Sequence, residues 1–301
     1  MRLASAEKGP QMAKRVIVDF DNTTGVPDCD VDDGLALLFL LGNPDLCQVE
    51  ALTCAYGNST IDVVYQATRQ LAAELGLSIP VLKGGADAHH ATSEAASHLA
   101  RTAAVSPGEV SVLATGSLTN LKGAMQQDPA FLGNLREIAL MGGVTGALAI
   151  NGRILDELNF SCDAEATALV LAAPCPVMDA VSQNCLPCLF TEEELVDEFG
   201  RDSWLIHACS EWFKTMERRY QSSRFVCWDL VAAAYLIRPD LFEDRPTQVA
   251  LYPRWFSVGL LETASAPDTP SVTVNLPVIK DPEAFKQAAF EAWHRALTRV
   301  Q

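Results

Sequence analysis

Four things are scarce in this chain, and each scarcity removes a class of function. No apolar run approaches the ~20 residues that a membrane-spanning helix requires. The opening MRLASAEKGPQMAKR has no apolar core and does not read as a secretory signal. Basic residues are few, 22 against 38 acidic ones, for a formal charge of −16. Such a surface repels phosphate backbones and anionic lipid, which argues against nucleic-acid and membrane partners. Cysteine patterns of metal or redox sites are missing as well. Cys185 and Cys188 form a lone CLPC with no second pair and no nearby histidine, so packed or half-exposed thiols are the better reading. Of the nine cysteines, Cys47, Cys54, Cys162, Cys175 and Cys227 sit in apolar context, where cysteine acts as a small hydrophobe. Without a secretion signal they point to a reducing, cytoplasmic setting.

Repeats and low-complexity linkers are absent too, and glycine and proline are scattered along the chain. With 301 residues and 49% hydrophobic content, one large α/β domain is the expectation. Residues 1–12 read as an N-terminal extension without structure of its own, with Met12 an alternative start, and residues 13–301 as a single domain.

What the chain has is a rhythm. Strand-like runs at 15–19, 49–54, 79–82, 109–116 and 136–143 alternate with helical patterns at 33–42, 61–75, 93–104 and from 117 on, where Ser117 or Thr119 is available as a cap. Longer helical patterns follow at 192–219 and 227–237, then strand-like runs near 248–275 and a closing helix at 282–299. Strand, glycine turn and helix in repetition predict a mostly parallel central sheet covered by helices, an open Rossmann-like core. Ligands of such sheets bind beyond the carboxyl ends of the strands. There the sequence places Gly57-Asn58, Thr115-Gly116, Met141-Gly142-Gly143 and a crowd of aspartates.

The crowd is six aspartates between Asp19 and Asp33, wedged between an apolar strand and an apolar helix. A solvated acidic loop is the ordinary fate of a charge run. It leaves unexplained why Asp19 and Asp21 grow out of a strand and Asp32 and Asp33 open a helix. Helix N-termini welcome one or two carboxylates, and six exceed that role. A phosphotransfer site is the second reading: VIVDFDNTT resembles the DxDGT strand end of the haloacid-dehalogenase-like phosphatases, with Asp19 as nucleophile and magnesium as the ion. Asn22 stands where that family has glycine, and its later Lys and paired Asp are not found. The third reading is a hard-cation site holding a water nucleophile, since calcium takes six to eight oxygens from carboxylates and carbonyls.

Six blocks in order favour the third. DFD…DVDDGLAL, ALTCAYGN (51–58), VSVLATGSLTNL (110–121), REIALMGG (136–143), ELNFSCDAEA (157–166) and WDLVAAAYLIRPDLF (228–242) resemble the motifs of the nucleoside hydrolases, the inosine-uridine type of N-ribohydrolase. The resemblance runs from residue 16 to about 242. It implies calcium-dependent hydrolysis of ribonucleosides to base and ribose, in homodimers or homotetramers. Asp21 would be calcium ligand and general base, with Asp33, Asp229 and the Thr115 carbonyl as further ligands. Asp32, Asn58, Asn151, Glu157 and Asn159 would hold the ribose hydroxyls, with Met141 against the sugar. The chemistry suits these types: breaking an N-glycosidic bond builds oxocarbenium character that carboxylates and amide oxygens stabilise. A cation also lowers the pKa of a water.

Three departures from the family pattern matter. Ten residues, NTTGVPDCDV, separate Asp21 from Asp32 where the family motif has three, so Asp28 or Asp30 competes for roles given to Asp21 or Asp32. The stretch 84–97 is short where many members carry a covering loop with histidine; His89 and His90 are more simply read as exposed. Trp228 stands where many members have a base-protonating histidine. A tryptophan cannot serve as that acid, whereas its face can stack on a base, as the purine-preferring branch of the family implies. Purine nucleosides are therefore the expected substrates. The alternatives are the phosphatase and a non-catalytic nucleoside- or ribose-binding protein on the same scaffold.

Overall fold

The structure, a computed structural model, describes residues 13–264, 266 and 268–300. The expected extension over residues 1–12 lies outside them. Strand β1 (Lys14–Phe20) leads into helix α1 (Asp32–Leu41), β2 (Cys47–Cys54) into α2 (Ile61–Glu74), and β3 (Val81–Lys83) into α3 (Glu94–Val105). The plan continues with β4 (Val110–Ala114), α4 (Thr119–Gln127), the short α5 (Phe131–Asn134) and β5 (Glu137–Met141). A small hairpin, β6 (Ala149–Ile150) and β7 (Arg153–Ile154), precedes α6 (Ala164–Leu171), β8 (Val177–Ala180) and α7 (Ser182–Cys185). Next come β9 (Leu189–Thr191), α8 (Glu192–Phe199), α9 (Trp204–Tyr220), β10 (Arg224–Val226) and α10 (Trp228–Ile237). The chain closes with β11 (Phe242–Glu243), β12 (Pro246–Ala250), α11 (Pro253–Phe256), β13 (Ser271–Asn275), β14 (Val278–Ile279) and α12 (Pro282–Val300).

Among the described residues these strands build an eight-stranded sheet in the order β12-β13-β8-β5-β4-β1-β2-β3, forming a single α/β domain. Every pairing is parallel except β12 with β13. β1 lies inside the sheet between β4 and β2, and its apolar residues are buried on both faces, as a parallel strand between helical layers requires. On one face α1 packs against α10 and α12, and all but one of its ten residues are buried, so it is apolar nearly all round. On the other face α3, α4, α5 and α6 cover the sheet with Leu99, Leu121, Phe131 and Val170. No helix among the described residues is long and apolar enough to cross a membrane.

Two local expectations are corrected. The helical pattern at 192–219 is two helices, because Gly200 at φ +79° ends α8 in a conformation that side chains disfavour. Ser203 then restarts the helix by capping α9, its hydroxyl accepting from the Ile206 N–H. Neither Ser117 nor Thr119 caps α4. Leu118 takes that position, while the Thr119 hydroxyl donates to Asp163 Oδ2 at 2.8 Å. Burial of Asp163 beside Lys122 outweighs the local preference, since the pair needs every partner it can reach.

Candidate active site

The carboxyl ends of β1, β2, β4, β5 and β8 open onto a cavity of about 490 Å³, a size suited to a small-molecule ligand. Its floor is acidic. Asp32, Asp33 and Asp229 offer carboxylate oxygens within 4.8 Å of one another, and all three are buried. They come from two helix starts, α1 and α10, neither of which has a side-chain cap. The Asp229 N–H donates to Asp32 Oδ2 at 3.2 Å, so the two helix ends are tied through the carboxylates themselves. The Thr115 hydroxyl donates to Asp33 Oδ1 at 2.8 Å.

Asp21 completes the group from the end of β1. Its Oδ2 accepts the Asn58 N–H, and Asn58 Nδ2 reaches Oδ1 at 3.4 Å. Gly57 is required by this approach: a Cβ there would meet Asp21 Oδ2 at 2.0 Å. Asp32 and Asp229 line the cavity, whereas Asp21 and Asp33 lie beneath its surface.

Burial pushes the pKa of every one of these acids upward. Asp21 rises to about 7, mainly through burial and also through Asp32, against the opposing Asn58 N–H. Asp33 and Asp229 are driven well above the ordinary range by burial and then by their carboxylate neighbours. Among the described residues, no basic side chain is a leading influence on them. Four buried carboxylates and a threonine hydroxyl make an all-oxygen donor set. That set fits a hard divalent ion, and not a soft one that would prefer sulfur or imidazole.

The excursion between Asp21 and Asp32 gives its two aspartates different surroundings, although both line the cavity. Asn22 Oδ1 accepts from the Thr24 N–H and hydroxyl, starting a turn, and the Thr23 hydroxyl donates to the Asp30 carbonyl at 2.9 Å, closing it. Asp28, at φ +62°, points away from the acids and pairs with Arg218, with the Thr215 hydroxyl at 3.1 Å. Asp30 sits beside Asp32 and accepts the Val31 N–H at 2.6 Å, next to the helix start. Asp19 is fully enclosed, its Oδ1 holding Thr53 at 2.6 Å and Asn120 at 2.9 Å. It does not line the cavity, and its Oδ1 is taken by these two partners.

The other expected residues divide. Asn58, Met141, Glu157, Asn159 and Trp228 line the cavity. Glu157 is held by three backbone donors, the N–H groups of Gly143, Phe160 and Ser161. Asn159 Nδ2 bridges the Thr115 and Met141 carbonyls at 3.0 and 2.9 Å, joining the ends of β4 and β5. Asn151 is a correction. It occupies the turn of the β6–β7 hairpin at φ +49°, exposed and outside the cavity, with its amide on the Tyr220 and Gln221 carbonyls. Asparagine tolerates that left-handed turn, and the turn carries it out of the cavity lining. His89 and His90 are exposed and apart from the cavity. Cys185 and Cys188 are free and buried.

Sequence reading missed the wall opposite the floor. Trp212, Met216 and Tyr220, four residues apart along α9, line the cavity with Leu148, Ile150, Ile154 and Trp228. An aromatic stripe at that spacing reads the same whether it faces a core or a cleft.

Comparison with known proteins agrees with this geometry. The sequence profile described as inosine-uridine preferring nucleoside hydrolase matches residues 26–286. A pyrimidine-specific ribonucleoside hydrolase of Escherichia coli is 26% identical over 248 residues, covering 71% of this chain and 78% of the relative. A plant nucleoside hydrolase superposes with a TM-score of 0.78 at 21% identity, over 94% of this chain and 99% of the other. A purine-preferring ribonucleoside hydrolase from Gardnerella vaginalis does so with a TM-score of 0.78 at 19% identity, over 95% and 100%.

Proposed function

The chain belongs to the inosine-uridine preferring nucleoside hydrolases and is an N-ribohydrolase, and from that premise we propose a calcium-dependent hydrolysis of purine ribonucleosides. The observation that carries the metal reading is the group of buried carboxylates that, among the described residues, has no ion pair to a basic side chain. In this reading Asp21, Asp33, Asp229 and the Thr115 carbonyl hold the ion. An ion held there would offset their charge and, when bound, would supply a water acidic enough to lose a proton near neutral pH.

The chain's own residues do the rest. Asp21 accepts the proton of the attacking water, supported by Asn58, whose N–H fixes one of its oxygens. Asp32 faces the cavity and takes ribose hydroxyls together with Asn58, Glu157 and Asn159, with Met141 under the ring. Their carboxylate and amide oxygens stabilise positive charge at the anomeric carbon as the bond to the base weakens. Trp228 stacks on the base. Purine preference draws on the two indoles, Trp212 and Trp228, that line one cavity. The relatives point both ways, one pyrimidine-specific by name and one purine-preferring.

The test is ribose release from a panel of purine and pyrimidine nucleosides, with chelator and with calcium restored. We expect activity to vanish with chelator, return with calcium, and favour purines. Turnover that survives complete chelation ends the metal reading, and faster cleavage of uridine or cytidine than of inosine or guanosine ends the purine reading. Residues 13–301 acting as one domain, a cytoplasmic location and assembly into a homodimer or homotetramer complete the proposal; sedimentation of the purified chain tests the last.

A further inference from the structure

The hairpin that carries Asn151 out of the cavity also changes what the cavity offers a sugar. Its two polar side chains both turn to the end of α9. Asn151 Nδ2 donates to the Tyr220 and Gln221 carbonyls at 3.0 and 2.8 Å, and Arg153 donates to the Arg219 carbonyl. Neither side chain lines the cavity. The apolar residues of the same turn do: Ile150 and Ile154 line it, flanked by Leu148 and Leu155. Ile154 is exposed, as is Leu158 further along, so part of this apolar lining stands in water.

The carboxylate that follows the hairpin is largely engaged. Glu157 Oε1 accepts the N–H groups of Gly143 and Phe160, and Oε2 accepts that of Ser161. Gly259 lies against Oε2, where a Cβ would stand 2.2 Å away. About one of the roughly four acceptor positions of this carboxylate therefore remains. Asp156, the other acid of the segment, is exposed.

Ribose stereochemistry says which group meets this segment. In a β-ribonucleoside the base on C1′ and the C5′ carbon on C4′ share one face of the ring, and the 2′ and 3′ hydroxyls share the other. With the diol on the aspartate floor, base and C5′ both point to the opposite wall. A base stacked on Trp228 occupies the start of α10, which leaves C5′ to the segment 148–158. We propose that the site takes ribonucleosides whose C5′ bears an apolar group in place of the hydroxyl, 5′-deoxy and 5′-alkylthio ribosides, at least as well as the parent nucleosides. This rests on the ribose pose proposed above. Leu148, Ile150 and Ile154 cover the substituent and leave water together with it. A 5′ hydroxyl in the same place gives up its hydration for little in return. The reaction itself is unchanged. The C1′–N bond breaks with its electron pair passing to the base, and a water oxygen bonds to C1′. One water proton stays on that oxygen, the other ends on the base, and the 5′ substituent stays on the released sugar.

The experiment measures kcat/KM of the full chain, with calcium present, on inosine, 5′-deoxyinosine and 5′-methylthioinosine, and on uridine and 5′-deoxyuridine. Each deoxy compound should stay within about 10-fold of its parent, and methylthioinosine should match inosine or exceed it by up to about 10-fold, the scale of a small apolar group in an apolar pocket. A site built around the 5′ hydroxyl would instead reject the deoxy compounds by about 10,000-fold. A deoxy compound that falls more than about 10-fold below a cleaved parent, or methylthioinosine cleaved more slowly than inosine, overturns the proposal. Ile150→Ala should lower the ratio of methylthioinosine to inosine turnover by about fivefold; an unchanged ratio would put the substituent elsewhere and overturn it as well. Failure of the underlying pose looks different: no parent or analogue is cleaved, or Asp32→Asn leaves every one of them at full rate. Refusal of the analogues by a chain that cleaves inosine or uridine strikes the 5′ assignment alone.

Discussion

The two walls of the cavity are built by opposite means. The floor combines strand ends with two helix starts: Asp21, Asn58, Thr115 and Met141 come from strand ends whose spacing is fixed by parallel pairing, and Asp32, Asp33 and Asp229 from the starts of α1 and α10. Its polar atoms are anchored mostly within a few strands of each other, and its glycines admit no side chain. Gly57 beside Asp21 and Gly259 beside Glu157 would each place a Cβ near 2 Å from a carboxylate oxygen. The opposite wall combines the end of α9 with Trp228 and the 149–154 hairpin, and the helix end is held by ties from remote segments, Asp28 on one side and Asn151 on the other. Its lining is apolar and aromatic, and Ile154 stands 72% exposed at the rim. Chemistry common to all substrates belongs on a rigid floor, where small displacements cost much in rate. Discrimination between bases belongs on a wall that can vary without disturbing that floor.

This contrast is broken most severely from below. Asp21→Asn should lower kcat by about 1,000-fold or more, since it removes the proposed base and a proposed ion ligand at once, while circular dichroism and thermal unfolding show a folded protein. A variant retaining a tenth of the wild-type rate would move the base elsewhere. From the other side, Trp228→Ala should reduce kcat/KM for purines by roughly 10- to 100-fold and for pyrimidines less, because the larger ring loses more stacking. Equal losses would reduce Trp228 to packing.

The smallest effect is on stability and concerns the floor alone. Asp19 and Asp21 are pushed up to about 7 from an ordinary carboxyl value, chiefly by burial. Between the two values the folded state holds more protons than the unfolded chain, so its stability falls as pH rises through that window. In chelator the melting temperature should therefore decline from pH 5 to pH 8. Calcium should raise it more at pH 8 than at pH 5, because protonated acids must release protons to bind an ion. A melting temperature in chelator that is flat or rising across this range would contradict the arrangement of protonated floor acids.

Legibility followed the same division. The strand ends could be read because a buried parallel strand is a continuous apolar run and a glycine turn marks where it stops. VIVDFD led straight to Asp21, and ATG to Thr115. The insertion after Asp21 could not be read, because Asp28 and Asp30 are chemically alike and only the turn closed by Asn22 and Thr23 sends one outward. Asn151 lay at the right distance from Glu157 along the chain and on the wrong side of a hairpin turn. The stripe Trp212, Met216, Tyr220 was visible as helix and silent about what it faces.

The sequence alone determined the α/β architecture, the family and the gathering of aspartates where the central strand ends, since these depend on periodicity and local turns. Tertiary structure decided which acids meet, which cysteines and histidines stand apart, and that the stripe of α9 faces the cavity. Those outcomes depend on long-range ties such as Asp28 to Arg218 and Asp32 to Asp229, between residues nearly 200 positions apart. No local pattern encodes such a partner, because its energy exists only after the sheet has brought both segments to the same edge.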